Sequence, residues 1–136
     1  MTNSSSLEVG DSFEIEDANG KHLHFIIVEE SEEDHSLIML VYLSSSNTIY
    51  KDETTIIKPS EHPYITNTED DSWIRYQNTI IYSRNEIVPL ITKHYGKISD
   101  DLLIRIQQGF KNSNKVSKRD KKIYSEWKTN KLFDSL

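Results

Sequence analysis

Asp11-Ser12-Phe13-Glu14-Ile15-Glu16-Asp17-Ala18-Asn19-Gly20-Lys21-His22-Leu23-His24-Phe25-Ile26-Ile27-Val28 is the stretch on which the fold class turns. From Ser12 the residues alternate, with Phe13 and Ile15 on one side and Glu14 and Glu16 on the other, the pattern of a half-buried strand. Asn19-Gly20 follows, and both residue types accept positive φ, so the pair predicts a tight hairpin. The return, Leu23–Val28, ends in an unbroken apolar run and predicts a central strand.

Working outward, Leu37–Leu43 reads as a third strand, ended by Ser44-Ser45-Ser46-Asn47. Shorter extended segments are expected at Thr48–Tyr50 and at Thr54–Lys58, the second stopped by Pro59. Trp73–Tyr76 and Thr79–Tyr82 read as two more. Residues 60–72 between them carry turn formers and the acids Glu69, Asp70 and Asp71. A long irregular loop of this kind is a common place for function.

After Tyr82 the period changes. Ser83-Arg84-Asn85-Glu86 has capping-box spacing and opens a helix of about ten residues, with Pro89 in its first turns or interrupting it. Ser99 caps a second helix, striped by Leu102, Leu103, Ile106 and Phe110. A last helix from about Ser117 presents Ile123 and Trp127 at i, i+4. Strands followed by helices make an α+β fold, most simply a small curled antiparallel sheet or barrel closed by C-terminal helices. Residues 1–7 are expected to be a flexible leader and 8–132 a single domain, barrel to about residue 83 and helices after.

At 136 residues the chain has one domain's length, and its 35% hydrophobic and 28% charged content is that of a globular protein. The absence of cysteine excludes a disulfide framework, a thiolate zinc site and a cysteine nucleophile together. No apolar run approaches the ~18–20 residues that span a bilayer, and Met1–Ser6 lack the regions of a signal peptide. A soluble cytoplasmic protein with no membrane partner is the expectation.

The net charge of −6 hides an asymmetry: residues 1–100 hold 7 basic and 18 acidic residues, residues 101–136 hold 9 and 4. The acidic part repels a phosphate backbone, so it is no general nucleic-acid surface. Lys118-Arg119-Asp120-Lys121-Lys122 in the basic part reads as a solvated helical face or as an RNA contact.

Several chemistries fall away. His22 and His24 share a strand face, but nothing at a set spacing supplies the further ligands of a zinc site. The acidic turn of residues 29–34 lacks the spaced ligands and glycine of a calcium loop. The four glycines stand apart, so there is no phosphate-cradling loop, and no serine sits in a nucleophile elbow. No metal or cofactor is expected.

Glu61-His62-Pro63-Tyr64-Ile65 and Ser72-Trp73-Ile74-Arg75-Tyr76 gather a histidine, a serine, an arginine and a tyrosine in one short region. Metal-free RNA cleavage needs such types. A base takes the 2′-OH proton, an acid protonates the leaving 5′ oxygen, and a cation steadies the phosphorane. The plain alternatives are that His62 and Tyr76 pin the loop by hydrogen bonds and that Arg75 pairs with Asp70 or Asp71.

Val9-Gly10-Asp11-Ser12-Phe13, the Asn-Gly hairpin, Lys21–Val28, a third strand ending in hydroxyl residues and Gly96–Gln107 together resemble PemK/MazF-family toxins over about residues 8–112. The His62 loop and the segment Ser72–Tyr76 are similar to a divergent branch of that family. The resemblance implies a small SH3-like antiparallel β-barrel with C-terminal helices, usually a homodimer. It also implies a metal-independent, sequence-selective endoribonuclease that cleaves single-stranded RNA and is neutralised by an antitoxin protein. The family's arginine-proline pair entering the second strand is replaced here by Leu23-His24, with His22 just before. The family's hydroxyl after the third strand is matched by Ser44 or Ser45.

A substituted site follows. His62 and His22 share the acid and base roles, Ser44 or Ser72 holds the scissile phosphate, Arg75 compensates charge, and Tyr76 orients a group or stacks a base. Ser45 and Trp73 complete the substrate contacts, while His24 reads as structural. The alternative is a catalytically inactive barrel of this family that binds protein or RNA.

Overall fold

A computed structural model describes residues 7–18, 20–30, 36–45, 51–66 and 72–134. β1 (Asp11–Asp17) and β2 (Gly20–Glu29) pair antiparallel from Ser12↔Phe25 to Asp17↔Gly20, as the alternation requires. Gly20 has a φ of 106°, a conformation that only glycine adopts without strain; its neighbour Asn19 lies outside the described residues.

β3 (Leu37–Ser44) lies on the other side of β2 and is the hub of the sheet. Its far edge is shared. β6 (Ile80–Ser83) takes Leu37–Leu40, and β5 (Ser72–Ile74) takes Leu43 and Ser44. β4 (Ile56–Ile57) adds outside β5, and β7 (Ile91–Lys97) adds outside β1. The order is β4-β5-β3-β2-β1-β7, every pair antiparallel. No pairing joins β4 to β7, so among the described residues the sheet is open rather than a closed ring.

Side chains alternate across the pleat, so the central strands bury both faces. Leu23, Phe25, Ile27, Val41 and Leu43 pack on one side with residues of the C-terminal helices. Phe13, Ile15, Ile26, Ile38 and Leu40 pack on the other with Leu7 and Ile87. Burial on both sides is why β2 reads as continuously apolar. Leu7, expected in the loose leader, is 1% exposed and already belongs to the core.

α2 (Asp100–Asn112) starts where Ser99 accepts from the Leu102 N–H at 3.2 Å, and it buries Leu102, Ile106 and Phe110. α3 (Lys118–Asp134) buries Tyr124 and Trp127, leaving Lys118, Arg119 and Lys122 exposed. Arg84 is fully buried and donates to Glu29, Ser36 and the Leu7 carbonyl; Lys131 of α3 reaches the other Glu29 oxygen at 3.1 Å. One carboxylate thus ties β2 to two distant parts of the chain. No helix among the described residues is long and apolar enough to cross a membrane.

The main departure lies at residues 84–97. The capping box forms, with Glu86 N–H on the Ser83 hydroxyl at 3.2 Å, but the helix expected to run for about ten residues stops after α1 (Arg84–Ile87). A 3₁₀ turn carries Pro89 over Val88–Leu90, and the chain then extends as β7 along β1. Pro89 lacks the N–H a continued helix needs, and the open edge of β1 offers the chain a ladder instead. Of the other expected segments, Thr48–Tyr50 and Glu69, Asp70 and Asp71 lie outside the described residues, as does most of the acidic turn.

Candidate active site

The start of β2, the end of β3, the start of β5 and the chain after His62 meet around a groove of about 280 Å³. His22, Ser44, Ser45 and Ser72 line it, with Lys21, Leu43, Tyr64, Ile65 and Thr66. Its volume is just below the ~300–1,000 Å³ of ordinary small-molecule pockets, which suits one base or one phosphate better than a dinucleotide cofactor. Four of the residues singled out in the sequence are therefore neighbours in space, brought together because each stands at or close to a strand end.

His22 links the groove to a second polar group on the sheet. Period two places His22 and His24 on one face of β2, and Tyr42 stands opposite His24 on β3. The Tyr42 ring lies 4.6 Å from the His22 ring and 5.4 Å from the His24 ring. Arg75 donates its backbone N–H to the Tyr42 carbonyl at 2.9 Å, and its guanidinium stands 5.8 Å from the Trp73 ring. Among the described residues no side chain accepts from the Arg75 guanidinium, and its Nε is buried without a partner. Burial raises the Tyr42 pKa, opposed by the charge of Arg75 and reinforced by Asp17, so the hydroxyl keeps its proton.

His24 is spent on structure. Its Nδ1–H donates to the His22 carbonyl at 3.0 Å, and burial pushes its pKa down to about 4, so the ring is neutral. The His22 ring nitrogens have no hydrogen-bond partner among the described residues. His22 thus combines a groove position with an uncommitted imidazole.

His62 is different. The Ser12 hydroxyl gives its single proton to the Gly96 carbonyl at 2.8 Å, so its oxygen accepts from His62 Nε2–H at 2.9 Å. Nδ1 is then the bare nitrogen, and it accepts from the Tyr64 N–H at 3.0 Å. Both ring nitrogens are engaged, the residue is buried, and burial lowers its pKa. Tyr76 is likewise removed from the groove. It is 0% exposed, donates to the Ile106 carbonyl at 2.7 Å and shares a 2.7 Å bond with Thr55 Oγ1. His62 and Tyr76, expected as acid or base and as orienter, are held as hydrogen-bond pins beneath the groove and against α2. Trp73, expected to touch substrate, is buried beside Arg75.

Two residues of the site were not singled out in the sequence, Tyr42 and Tyr64. The alternation that places Ser44 on one face of β3 places Tyr42 there too, so the first was readable from spacing. Among the described residues no three His, Asp or Glu side chains converge to hold a metal ion. No protein-family model matches the chain, and no curated protein matches its sequence significantly.

Proposed function

We propose that this chain is a metal-independent endoribonuclease of the PemK/MazF kind, a cytoplasmic toxin that cuts single-stranded RNA and is held in check by an antitoxin. The SH3-like barrel and homodimer belong to the same reading. The observation that carries it is a groove-lining imidazole, His22, with no hydrogen-bond partner among the described residues, in ring contact with Tyr42. The Tyr42 hydroxyl feels the charge of Arg75, a residue with its Nε buried and unpartnered among the described residues. A charged side chain with a buried, unpartnered donor is costly unless an anion completes it, and a phosphate is such an anion.

His22 takes the proton from the 2′-OH, and the 2′ oxygen attacks phosphorus. Arg75 and Ser44 steady the phosphorane charge. The P–O5′ bond breaks, leaving a 2′,3′-cyclic phosphate. The departing 5′ oxygen takes a proton from the Tyr42 hydroxyl, which burial keeps protonated. His62 has no part in the proton transfers on this reading and acts only as a support.

Cleavage of a long single-stranded RNA by the purified chain in EDTA tests this. Wild type should give discrete fragments ending in 2′,3′-cyclic phosphate, and folded His22→Ala should cut ~10²–10⁴-fold more slowly. Intact RNA with folded wild type would overturn it. The acidic first hundred residues would then favour the second reading, an inactive barrel that binds a protein or RNA partner.

A further inference from the structure

We propose that Tyr64 is the stacking platform for one unpaired nucleobase of single-stranded RNA. This inference rests on the reading of the groove as an RNA-cleavage site and names the part that grips the strand. Tyr64 lines the groove next to Lys21 and is only half-buried, although it stands in a short loop that nothing in the sequence periodicity would order.

That loop is held from below and from the side. His62 Nδ1 accepts the Tyr64 N–H at 3.0 Å, while Nε2–H anchors the same imidazole to Ser12 on β1. From the side, Tyr95 meets Tyr64 with ring centroids 5.6 Å apart and planes at 88°. Tyr95 is an extra residue of β7: Ser12 pairs with Gly96 and Phe13 with His94, so Tyr95 has no opposite number. Such a bulge re-aims a side chain, and here it sets Tyr95 against His62 and Tyr64. Lys93 lies 5.0 Å over the Tyr95 ring and backs it in turn.

The result is a tyrosine ring fixed in place before any ligand arrives. Tyr64 packs against the core on one side and meets Tyr95 at right angles, yet it is only half-buried and lines the groove, so its exposed part is where a flat partner can stack. A free base offers one, and a base stacked in a duplex does not. The local charge also fits a base better than a run of phosphates. Lys21 sits 4.0 Å from Glu16, and the Glu14 carboxylate is held nearby by the Thr92 hydroxyl at 2.7 Å. Two lysines set against two carboxylates leave little net attraction for a polyanion, so grip on this side comes from stacking.

The full chain titrated into a short single-stranded RNA carrying 2-aminopurine tests the platform, read by base fluorescence and by anisotropy. Wild type should quench the probe, and duplex RNA of the same sequence should compete poorly. Tyr64→Phe should bind and quench as wild type, whereas Tyr64→Ala should bind about fivefold or more weakly and lose the quench. Tyr64→Leu keeps apolar bulk without a ring and should behave as Tyr64→Ala, which keeps the result readable if the alanine variant fails to fold. Tight, quenched binding by Tyr64→Leu would overturn the platform and leave the nuclease reading standing. Absence of single-strand binding by folded wild type would overturn both.

Discussion

His22 stands on β2 and His62 in the loop between β4 and β5, and their surroundings are opposite. Both ring nitrogens of His62 are engaged, its partner Ser12 is engaged in turn, and Tyr76 nearby in sequence is equally satisfied. Among the described residues His22 has ring contact with Tyr42 and no hydrogen bond to its imidazole, and Arg75 beside that tyrosine keeps a buried Nε with no acceptor. A polar group with all its valences met by the protein is a fastener. One left incomplete by an otherwise well-bonded fold is where a ligand has something to add. Residue type alone could not separate the two, because both regions carry a histidine and a tyrosine.

The largest expected effect comes from acid, acting on the fastened side. His24 has its pKa pushed down to about 4, against ~6.5 in an unfolded chain. Between those values the unfolded chain binds more protons than the folded one. The contribution is therefore fully present above about pH 6.5 and is lost as pH falls toward 4, on the order of 3 kcal/mol. His62, lowered by the same burial, adds in the same direction. Urea midpoints at about pH 7.5 and 4.5 measure the loss. His24→Asn retains a donor for the His22 carbonyl and should flatten the slope. A variant as acid-sensitive as wild type would remove His24 from the account.

Next comes the contact between Tyr76 and α2. A methyl at Gly109 would overlap Thr55 Oγ1 and the Tyr76 hydroxyl. Gly109→Ala should therefore destabilise by ~1–3 kcal/mol even though alanine gains about 1 in a helix. Tyr76→Phe, which takes away the buried partner of Thr55 Oγ1 and the bond to the Ile106 carbonyl, should cost about as much. Neutral behaviour of both in urea melts would mean that this side is not fastened as described.

The smallest effect is expected on the incomplete side. Arg75→Gln removes a guanidinium that no described side chain accepts from, so stability should stay within about 0.5 kcal/mol while RNA cleavage is lost. A clear drop in the urea midpoint would make Arg75 a fastener too and erase the contrast.

Local signals carried much of this into the sequence. Alternation in β1, the hairpin, the apolar run of β2 and the Ser99 cap are all decided by neighbours within four residues. β7 was not readable, because Ile91–Lys97 extends only in answer to the edge of β1, about eighty residues earlier in the chain. The site divides the same way. Ser44 ends a strand and His22 lies near the start of one that the hairpin announces, and both fall in the groove. His62 and Tyr76 follow turns with no period, so which way they point is set by Ser12, Gly96, Thr55 and Ile106, none of them adjacent in sequence.

The irregular pairing of β7 reaches beyond Tyr95. Thr92 is also unopposed, since Glu14 pairs with Lys93 and Ile15 with Ile91. Two bulges in seven residues, with Lys93 and Lys97 alongside, make a poor template for a further strand, and β4 at the opposite end is two residues long. Sheet edges of this kind resist the end-on addition that leads to fibrils. Self-association by strand addition at these two described edges is disfavoured, and substitutions that straighten β7 would be expected to expose the chain to aggregation.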